Sequence, residues 1–179
     1  TALRDRIAAN LAAIPPLVLG GQGLRSAAVG VVLLADDQGR ACFVLTRRLS
    51  TLRRHGGQWA LPGGRLDGAE TAADAALREI REEVGLHISP AAILGRLDDF
   101  ATRSGYLISP LVIWCQDGRG LLASPDEVDA AYRVPLEDLD RPGSLSFEPL
   151  LHFALTGFTV YAPTAAILYQ FREVGLHRR

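Results

Sequence analysis

Residues 64–86 of this chain read GRLDGAETAADAALREIREEVGL, a glycine-containing polar loop that runs into an amphipathic helix. Thr71 can cap this helix with Asp74 at its third position, and Gly85 stands where helices commonly end. On a helical wheel one side is apolar. That stripe consists of Ala73, Ala76, Leu77, Ile80 and Val84. Because the stripe must pack on other elements, the segment predicts a loop followed by a helix anchored on a sheet.

A cluster of carboxylates lies along one edge of the same helix. Glu79 and Glu83 are one turn apart beside the apolar stripe, and Glu82 lies next to them. Like charges at this spacing destabilise an isolated helix by roughly a few tenths of a kcal/mol per pair. A divalent cation such as Mg²⁺ or Mn²⁺ could bind these carboxylates, since it prefers carboxylate oxygens as ligands. Arg78, one turn before Glu82, can pair with it. Taken alone, the cluster is also typical of a solvated helix face.

The chain before this segment predicts one helix and one hairpin. An amphipathic helix ends at Pro15-Pro16, and apolar runs at residues 27–34 and 41–46 flank a turn. After the segment, the sequence predicts strands at 93–100, 106–114 and 128–134. A short helical turn at 135–139 and a last helix over 163–174, with Gly175 just past its end, complete the prediction.

These elements favour the α+β class, with mostly paired strands and about three helices. We predict one domain over residues 1–179, of which residues 1–24 form an N-terminal helix and lead-in loop. No repeat or long linker divides the sequence.

The charge composition argues against nucleic acid and membranes as partners. The 19 basic and 20 acidic residues give a formal net charge of −1, so no bulk field attracts nucleic acid or a membrane surface. The two cysteines, Cys42 and Cys115, lie in apolar runs and are predicted to be buried thiols of a reducing compartment. Neither a membrane-spanning run nor a signal peptide is evident, and we expect a cytoplasmic protein.

The 64–86 segment resembles the signature of the Nudix hydrolase family at every defined position. The matching residues are Gly64, Glu70, Arg78, Glu79, Ile80, Glu82, Glu83, Gly85 and Leu86. Nine matches at these fixed spacings should arise by chance on the order of once in a million chains. The resemblance implies an α/β/α sandwich with a mixed sheet and a catalytic loop–helix–loop, here residues 64–86. It also implies hydrolysis of a diphosphate bond with Mg²⁺ or Mn²⁺.

The resemblance also implies roles for individual residues. Glu79 and Glu83 would be the main metal ligands, Glu82 an additional or indirect ligand, and Arg78 the residue that orients Glu82. Glu70 would brace the loop–helix junction and reach the metal through water.

Two further roles concern the diphosphate and the attacking water. The Gly63-Gly64 backbone would approach metal and phosphate closely, which a side chain would hinder. The family takes its general base from a further carboxylate whose position varies, and Glu127 is our candidate. A lone surface glutamate is the alternative interpretation of Glu127.

A second resemblance, to coenzyme A diphosphatases, precedes the Nudix segment. It rests on Leu45-Thr46, Arg48, Arg53, Gly57 and Pro62-Gly63-Gly64. Leu49 and Leu61 depart from the motif, which has serine and phenylalanine there. Arginine forks suit phosphate, so Arg48 and Arg53 are the predicted substrate-binding side chains.

Two alternatives stay open at this point. The first is another Nudix substrate, namely ADP-ribose, NADH or a nucleoside triphosphate. The second is a non-catalytic nucleotide-sensing or protein-binding module. The expected partner is a small nucleotide-type substrate, with neither nucleic acid nor membrane. The sequence leaves the oligomeric state open, a homodimer included.

Overall fold

A mixed sheet organises the chain, and its strands bring the 64–86 segment together with residues far away in sequence. The computed structural model describes residues 1–21, 23–50, 57–147 and 151–179. Within these ranges the strands of the main sheet are β1 (Arg25–Ala35), β2 (Ala41–Arg48), β3 (Trp59–Ala60), β4 (Gly63–Arg65), β5 (Ile93–Arg96), β6 (Phe100–Ala101), β7 (Tyr106–Trp114) and β8 (Val128–Pro135). A smaller sheet contains β9 (Leu145–Ser146), β10 (His152–Leu155) and β11 (Phe158–Tyr161).

Strands β1 and β7 form the centre of the main sheet. They run parallel, in register from Arg25 opposite Tyr106 to Leu33 opposite Trp114. Both are apolar along most of their length, as expected for strands covered on both faces. The order is β3-β2-β1-β7-β5, and the other pairings are antiparallel. The predicted mixed sheet and the 27–34/41–46 hairpin are thereby confirmed.

Strand β1 changes partner along one edge, and this opens the sheet. Its last residues pair with β2, whereas Ala27, Ala28 and Val29 pair with β4. Further along, β2 pairs with β3 through Thr46 and Arg47, and its other edge pairs with β8 from Cys42 to Arg48. In the described part of the chain β4 therefore has one strand partner, β1, and its other edge is free of strand pairing.

Helices cover both faces of the sheet. They are α1 (Ala2–Ala13), α2 (Ala72–Val84), α3 (Glu137–Asp140) and α4 (Thr164–Gln170), with a 3₁₀ turn at Pro90–Ala92 and a π-helical segment at Phe171–Leu176. On one face Ile80 and Val84 of α2 pack against Val32 of β1. On the other face α1, α4 and the small sheet enclose a second core, which includes Phe43, Phe153 and Phe171. The predicted α/β/α sandwich is confirmed.

The local signals that predicted α2 hold in the structure. The Thr71 hydroxyl accepts from the Asp74 N–H at 3.2 Å, and the Asp74 carboxylate accepts from the Thr71 N–H at 3.2 Å. Gly85 ends the helix in the left-handed region with φ 70°. Gly30 of β1 lets the helix approach, since a Cβ there would lie 2.7 Å from Ile80 Cδ1.

Two predicted elements are wrong in detail. The strand over 93–100 is interrupted between Arg96 and Phe100, because Asp99 turns aside to pair its backbone N–H with the Leu17 carbonyl. The last helix continues past residue 174 as the π-helical segment, and Gly175 lies inside it. Gly175 is buried against the Phe171 ring, and its carbonyl accepts from Asn10 Nδ2 at 2.9 Å. The small sheet β9–β11 was not predicted.

The described helices include none that is long and apolar enough to span a membrane. Cys42 and Cys115 are buried and unpaired, as predicted.

Candidate active site

Strand β4 meets helix α2 at two adjacent glycines, and this contact assembles the carboxylates. The Gly63 N–H donates to Glu83 Oε2 at 3.1 Å. Next to it, a Cβ on Gly64 would collide with the Glu79 carboxylate, including a 2.7 Å approach to Oε2. At Gly63, φ is 152° and a Cβ would lie 2.6 Å from the Val29 Cα. A side chain at position 63 would therefore meet the sheet backbone, and a side chain at position 64 would displace the Glu79 carboxylate.

The Glu83 carboxylate is held in an unusual environment for an acid. Glu83 is 7% exposed. Burial raises its pKa to about 8, and the negative charges of Glu79 and Glu127 add to this. The Gly63 hydrogen bond and the positive charge of Arg48 act in the opposite direction. Among the described residues, the surroundings of Glu83 therefore favour its protonated form.

Glu79 has a related but milder environment. Burial raises its pKa, and the charges of Glu82 and Glu127 act the same way. Arg78 opposes the shift, since its Nη1 donates to Glu79 Oε1 at 2.9 Å. Glu79 and Glu83 together form a pair of acids whose charge the protein only partly compensates.

Arg78 connects the loop to the helix. Its Nε and Nη2 grip both oxygens of Glu70, at 2.8 and 3.1 Å. Its Nη1 also donates to Glu82 Oε2 at 3.0 Å, which is the predicted pairing. The further bonds to Glu70, Glu79 and the Arg65 carbonyl, the last at 3.0 Å, were not predicted. The Arg78 guanidinium lowers the pKa of Glu70 to about 2.

These residues fit a divalent cation. The donors are carboxylate oxygens, which Mg²⁺ and Mn²⁺ prefer. Glu83 is buried with a raised pKa, and the absence of a side chain at Gly64 lets the Glu79 carboxylate lie directly against the β4 backbone. Within the described ranges no three acidic, histidine or cysteine side chains converge as a ready-made metal cage. Arg78 donates to Glu70, Glu79 and Glu82, so Glu83 is the one of these four acids that has no hydrogen bond from Arg78.

The structure places the other predicted site residues as follows. Glu127 is exposed in the turn before β8, and its charge acts on both Glu79 and Glu83. Arg48, at the end of β2, acts on Glu83. Both therefore lie around the same pair of acids, although their chemical roles stay predictions. Arg53 lies outside the described residues.

Two basic residues near the site escaped the sequence reasoning. Arg65 follows Gly64 directly, and Arg25 lies at the start of β1. Both have their guanidinium groups over the ring of Tyr106, at 5.3 and 4.2 Å from its centroid. The sequence contained one local indication of their position, namely the strand period of two, which places Arg25 and Ala27 on the same face of β1. The pairing of Ala27 with Arg65 is set by tertiary structure.

Gly64→Ala is expected to inactivate the site without unfolding the protein. The new Cβ would occupy the position of the Glu79 carboxylate, which must then move away from Glu83. We expect catalysis at this site to fall by about 100-fold, since a displacement of about 1 Å has such effects on reaction rates. Steady-state kinetics measures the loss, with the thermal midpoint as the fold control.

Gly120→Ala is the matched control for this substitution. Nothing lies within 4 Å of a Cβ at Gly120, and its φ does not require glycine. Activity of Gly64→Ala close to that of Gly120→Ala would show that Glu79 does not need its present position.

Comparison with known proteins gives a family match. The NUDIX domain model matches residues 24–152. "Nudix hydrolase 3" of Caenorhabditis elegans is 31% identical over 151 residues, covering 80% of this chain and 63% of that protein. "Uncharacterized Nudix hydrolase NudL" of Photorhabdus laumondii is 40% identical over 97 residues, covering 54% of this chain and 52% of that protein. The chain thus spans between half and two thirds of these relatives.

Among solved structures, a MutT/nudix family protein from Enterococcus faecalis superposes with a TM-score of 0.64. The two chains are 23% identical, and the match covers 84% of this chain and 62% of the other. At this identity the likeness concerns the fold. It agrees with the sandwich.

Proposed function

Because this chain belongs to the NUDIX-domain family, we propose that it is a metal-dependent hydrolase that cuts the diphosphate bond of a nucleoside-diphosphate-linked small molecule. The observation that carries the proposal is the buried Glu83 carboxylate, hydrogen-bonded to Gly63 and adjacent to Glu79. A protein gains nothing in stability from burying one acid beside a second, partly buried acid. Glu79 and Glu83 would hold a divalent cation, whose positive charge would offset their charge and that of a diphosphate.

Four glutamates are the proposed metal ligands, and one arginine positions them. Glu79 and Glu83 would bind Mg²⁺ or Mn²⁺, with Glu82 and Glu70 contributing directly or through water. Such an ion neutralises diphosphate oxygens and lowers the pKa of a bound water. Arg78 holds three of these four carboxylates in place through its guanidinium.

The remaining groups orient substrate and water. Because Gly63 and Gly64 have no side chains, a diphosphate could approach the carboxylates along the backbone of these two residues. Arg48 supplies positive charge next to Glu83 for the same diphosphate. Glu127 would accept the proton of the attacking water, whose oxygen bonds to phosphorus while the bridging oxygen leaves with the electron pair of its bond.

We infer that the substrate is coenzyme A or a derivative, with adenosine 3′,5′-bisphosphate and (acyl-)phosphopantetheine as products. The motif that includes Arg48 and the Gly63-Gly64 pair supports this choice, since it resembles that of coenzyme A diphosphatases. Location in the cytoplasm and homodimer formation likewise remain predictions.

The test is hydrolysis of coenzyme A, ADP-ribose and NADH side by side, with Mg²⁺ or Mn²⁺, and product separation by chromatography. We expect coenzyme A to be cleaved well above the other two, releasing adenosine 3′,5′-bisphosphate. Glu83→Gln is the inactive control.

Other outcomes would replace the proposal in part or entirely. Cleavage of ADP-ribose, NADH or a nucleoside triphosphate, with coenzyme A untouched, would overturn the substrate and leave the hydrolase. A metal-induced thermal shift with no hydrolysis of any of these diphosphates would favour a nucleotide-sensing or protein-binding module.

A further inference from the structure

Beside β4 the structure carries a cationic feature that the diphosphate site does not use. We propose that Arg25, Arg65 and Tyr106, here called the Tyr106 arginine cluster, form a second anion subsite that binds a phosphate monoester of the substrate. The proposal rests on the proposed function, because it assigns a further group of the same substrate. For coenzyme A this group is the 3′-phosphate.

The sheet register brings the three side chains together. Arg25 stands opposite Tyr106 in the β1–β7 ladder, and Arg65 stands opposite Ala27 in the β1–β4 ladder. Since side chains alternate along a strand, Arg25 and Ala27 project from the same face. The small Ala27 side chain lets Arg65 reach across to the Tyr106 ring.

In the part of the chain that the structure describes, no carboxylate forms an ion pair with the cluster. Arg25 and Arg65 are both exposed, and among the described residues neither has a carboxylate oxygen within 4.0 Å. Arg25 donates to the Ser104 carbonyl at 3.3 Å, a neutral partner. Two guanidinium groups that share one aromatic ring repel each other, and an anion between them would relieve this repulsion. A dianionic phosphate suits two arginine forks best.

The cluster is contiguous with the diphosphate site. Arg65 follows Gly64, the residue whose backbone touches Glu79, and the Arg65 carbonyl accepts from Arg78 at 3.0 Å. Alternation puts the Arg65 side chain on the opposite face of β4 from the α2 carboxylates. A substrate lying along the unpaired edge of β4 can therefore place its diphosphate by Glu79 and its monoester by Arg65.

The experiment compares coenzyme A with 3′-dephospho-coenzyme A, which differ only in the monoester. We expect Arg25→Gln and Arg65→Gln each to lower kcat/KM for coenzyme A by about 10- to 100-fold, the range for a lost charge-assisted phosphate contact. Hydrolysis of the dephospho substrate should stay within about twofold of wild type, so the preference between substrates collapses.

Controls separate recognition of the phosphate from folding and from net charge. Arg103→Gln removes an exposed arginine from the adjacent turn and should preserve the preference. Arg65→Lys keeps the positive charge but lacks the two-pronged guanidinium, so it should retain only part of the preference for coenzyme A over the dephospho substrate. Calorimetric binding of adenosine 3′,5′-bisphosphate against AMP gives a readout without turnover, and only the bisphosphate should lose affinity in Arg25→Gln and Arg65→Gln.

The two proposals fail in distinguishable ways. Equal hydrolysis of both substrates by wild type, or equal losses on both in the variants, would overturn the subsite and leave the hydrolase. Absence of hydrolysis on any diphosphate, with bisphosphate affinity lost in the cluster variants, would overturn the hydrolase and support the subsite.

Discussion

Glu83→Gln is expected to abolish turnover and, at the same time, to stabilise the metal-free protein. Loss of a metal-binding carboxylate should lower kcat by about 10³-fold or more, because a bound metal contributes several kcal/mol to such reactions. Glutamine keeps an acceptor for the Gly63 N–H, now donated to Glu83 Oε2 at 3.1 Å. It removes an acid that is 7% exposed.

The gain in stability should depend on pH in a defined direction. The pKa of Glu83 is about 8 in the folded protein against an ordinary value of 4.5. Between these values the folded state binds more protons than the unfolded state, so the free energy of unfolding decreases as pH rises. At pH 7 this costs wild type on the order of 3 kcal/mol. Glutamine does not ionise, so Glu83→Gln lacks this pH-dependent loss of stability. Its thermal midpoint should therefore exceed that of wild type by several degrees at pH 8 and match it near pH 4.5.

Metal titration completes the experiment. Mg²⁺ should raise the midpoint of wild type at pH 7 and release a proton on binding, and it should do neither in Glu83→Gln. Glu82→Gln is the matched control, since the Glu82 side chain is 42% exposed and should give a much smaller metal-free gain. A Glu83→Gln protein that is less stable than wild type at pH 8, or that keeps its response to Mg²⁺, would contradict the assignment.

Arg78→Lys is expected to weaken the metal site although it preserves the charge. A lysine cannot grip both oxygens of Glu70 and also reach Glu79 and Glu82, as the Arg78 fork does. Residues that orient metal ligands typically contribute 10- to 100-fold to affinity or activity, and we expect a loss of about this size in both. The Mg²⁺ concentration that gives half-maximal rate should rise accordingly.

Arg81→Gln is the control for helix charge, because Arg81 is exposed on the same helix and has no ion pair among the described residues. It should leave the Mg²⁺ dependence unchanged. If Arg78→Lys showed the wild-type dependence on Mg²⁺ as well, the charge of Arg78 rather than its geometry would be the required property.

Local sequence determined the catalytic segment because its interactions are local. The capping of α2 by Thr71 and the end at Gly85 involve residues within one or two turns. The helical period placed Glu79, Glu82 and Glu83 beside the apolar stripe, and the spacing of four residues predicted the pairing of Arg78 with Glu82. The class of fold followed from strand and helix patterns, together with the resemblance in residues 64–86.

Tertiary structure alone decided which carboxylate is buried and what surrounds it. The Gly63 bond to Glu83 joins residues 20 positions apart, and it forms because β4 pairs with β1 and α2 packs on that sheet. The interruption after Arg96 depends on Leu17, and the Tyr106 arginine cluster depends on the register of three strands. Periodicity specifies which face of an element is apolar, but it contains no information on which distant backbone N–H or charge will meet that face. Pairing and packing of the whole chain supply this information, and with it the pKa of Glu83.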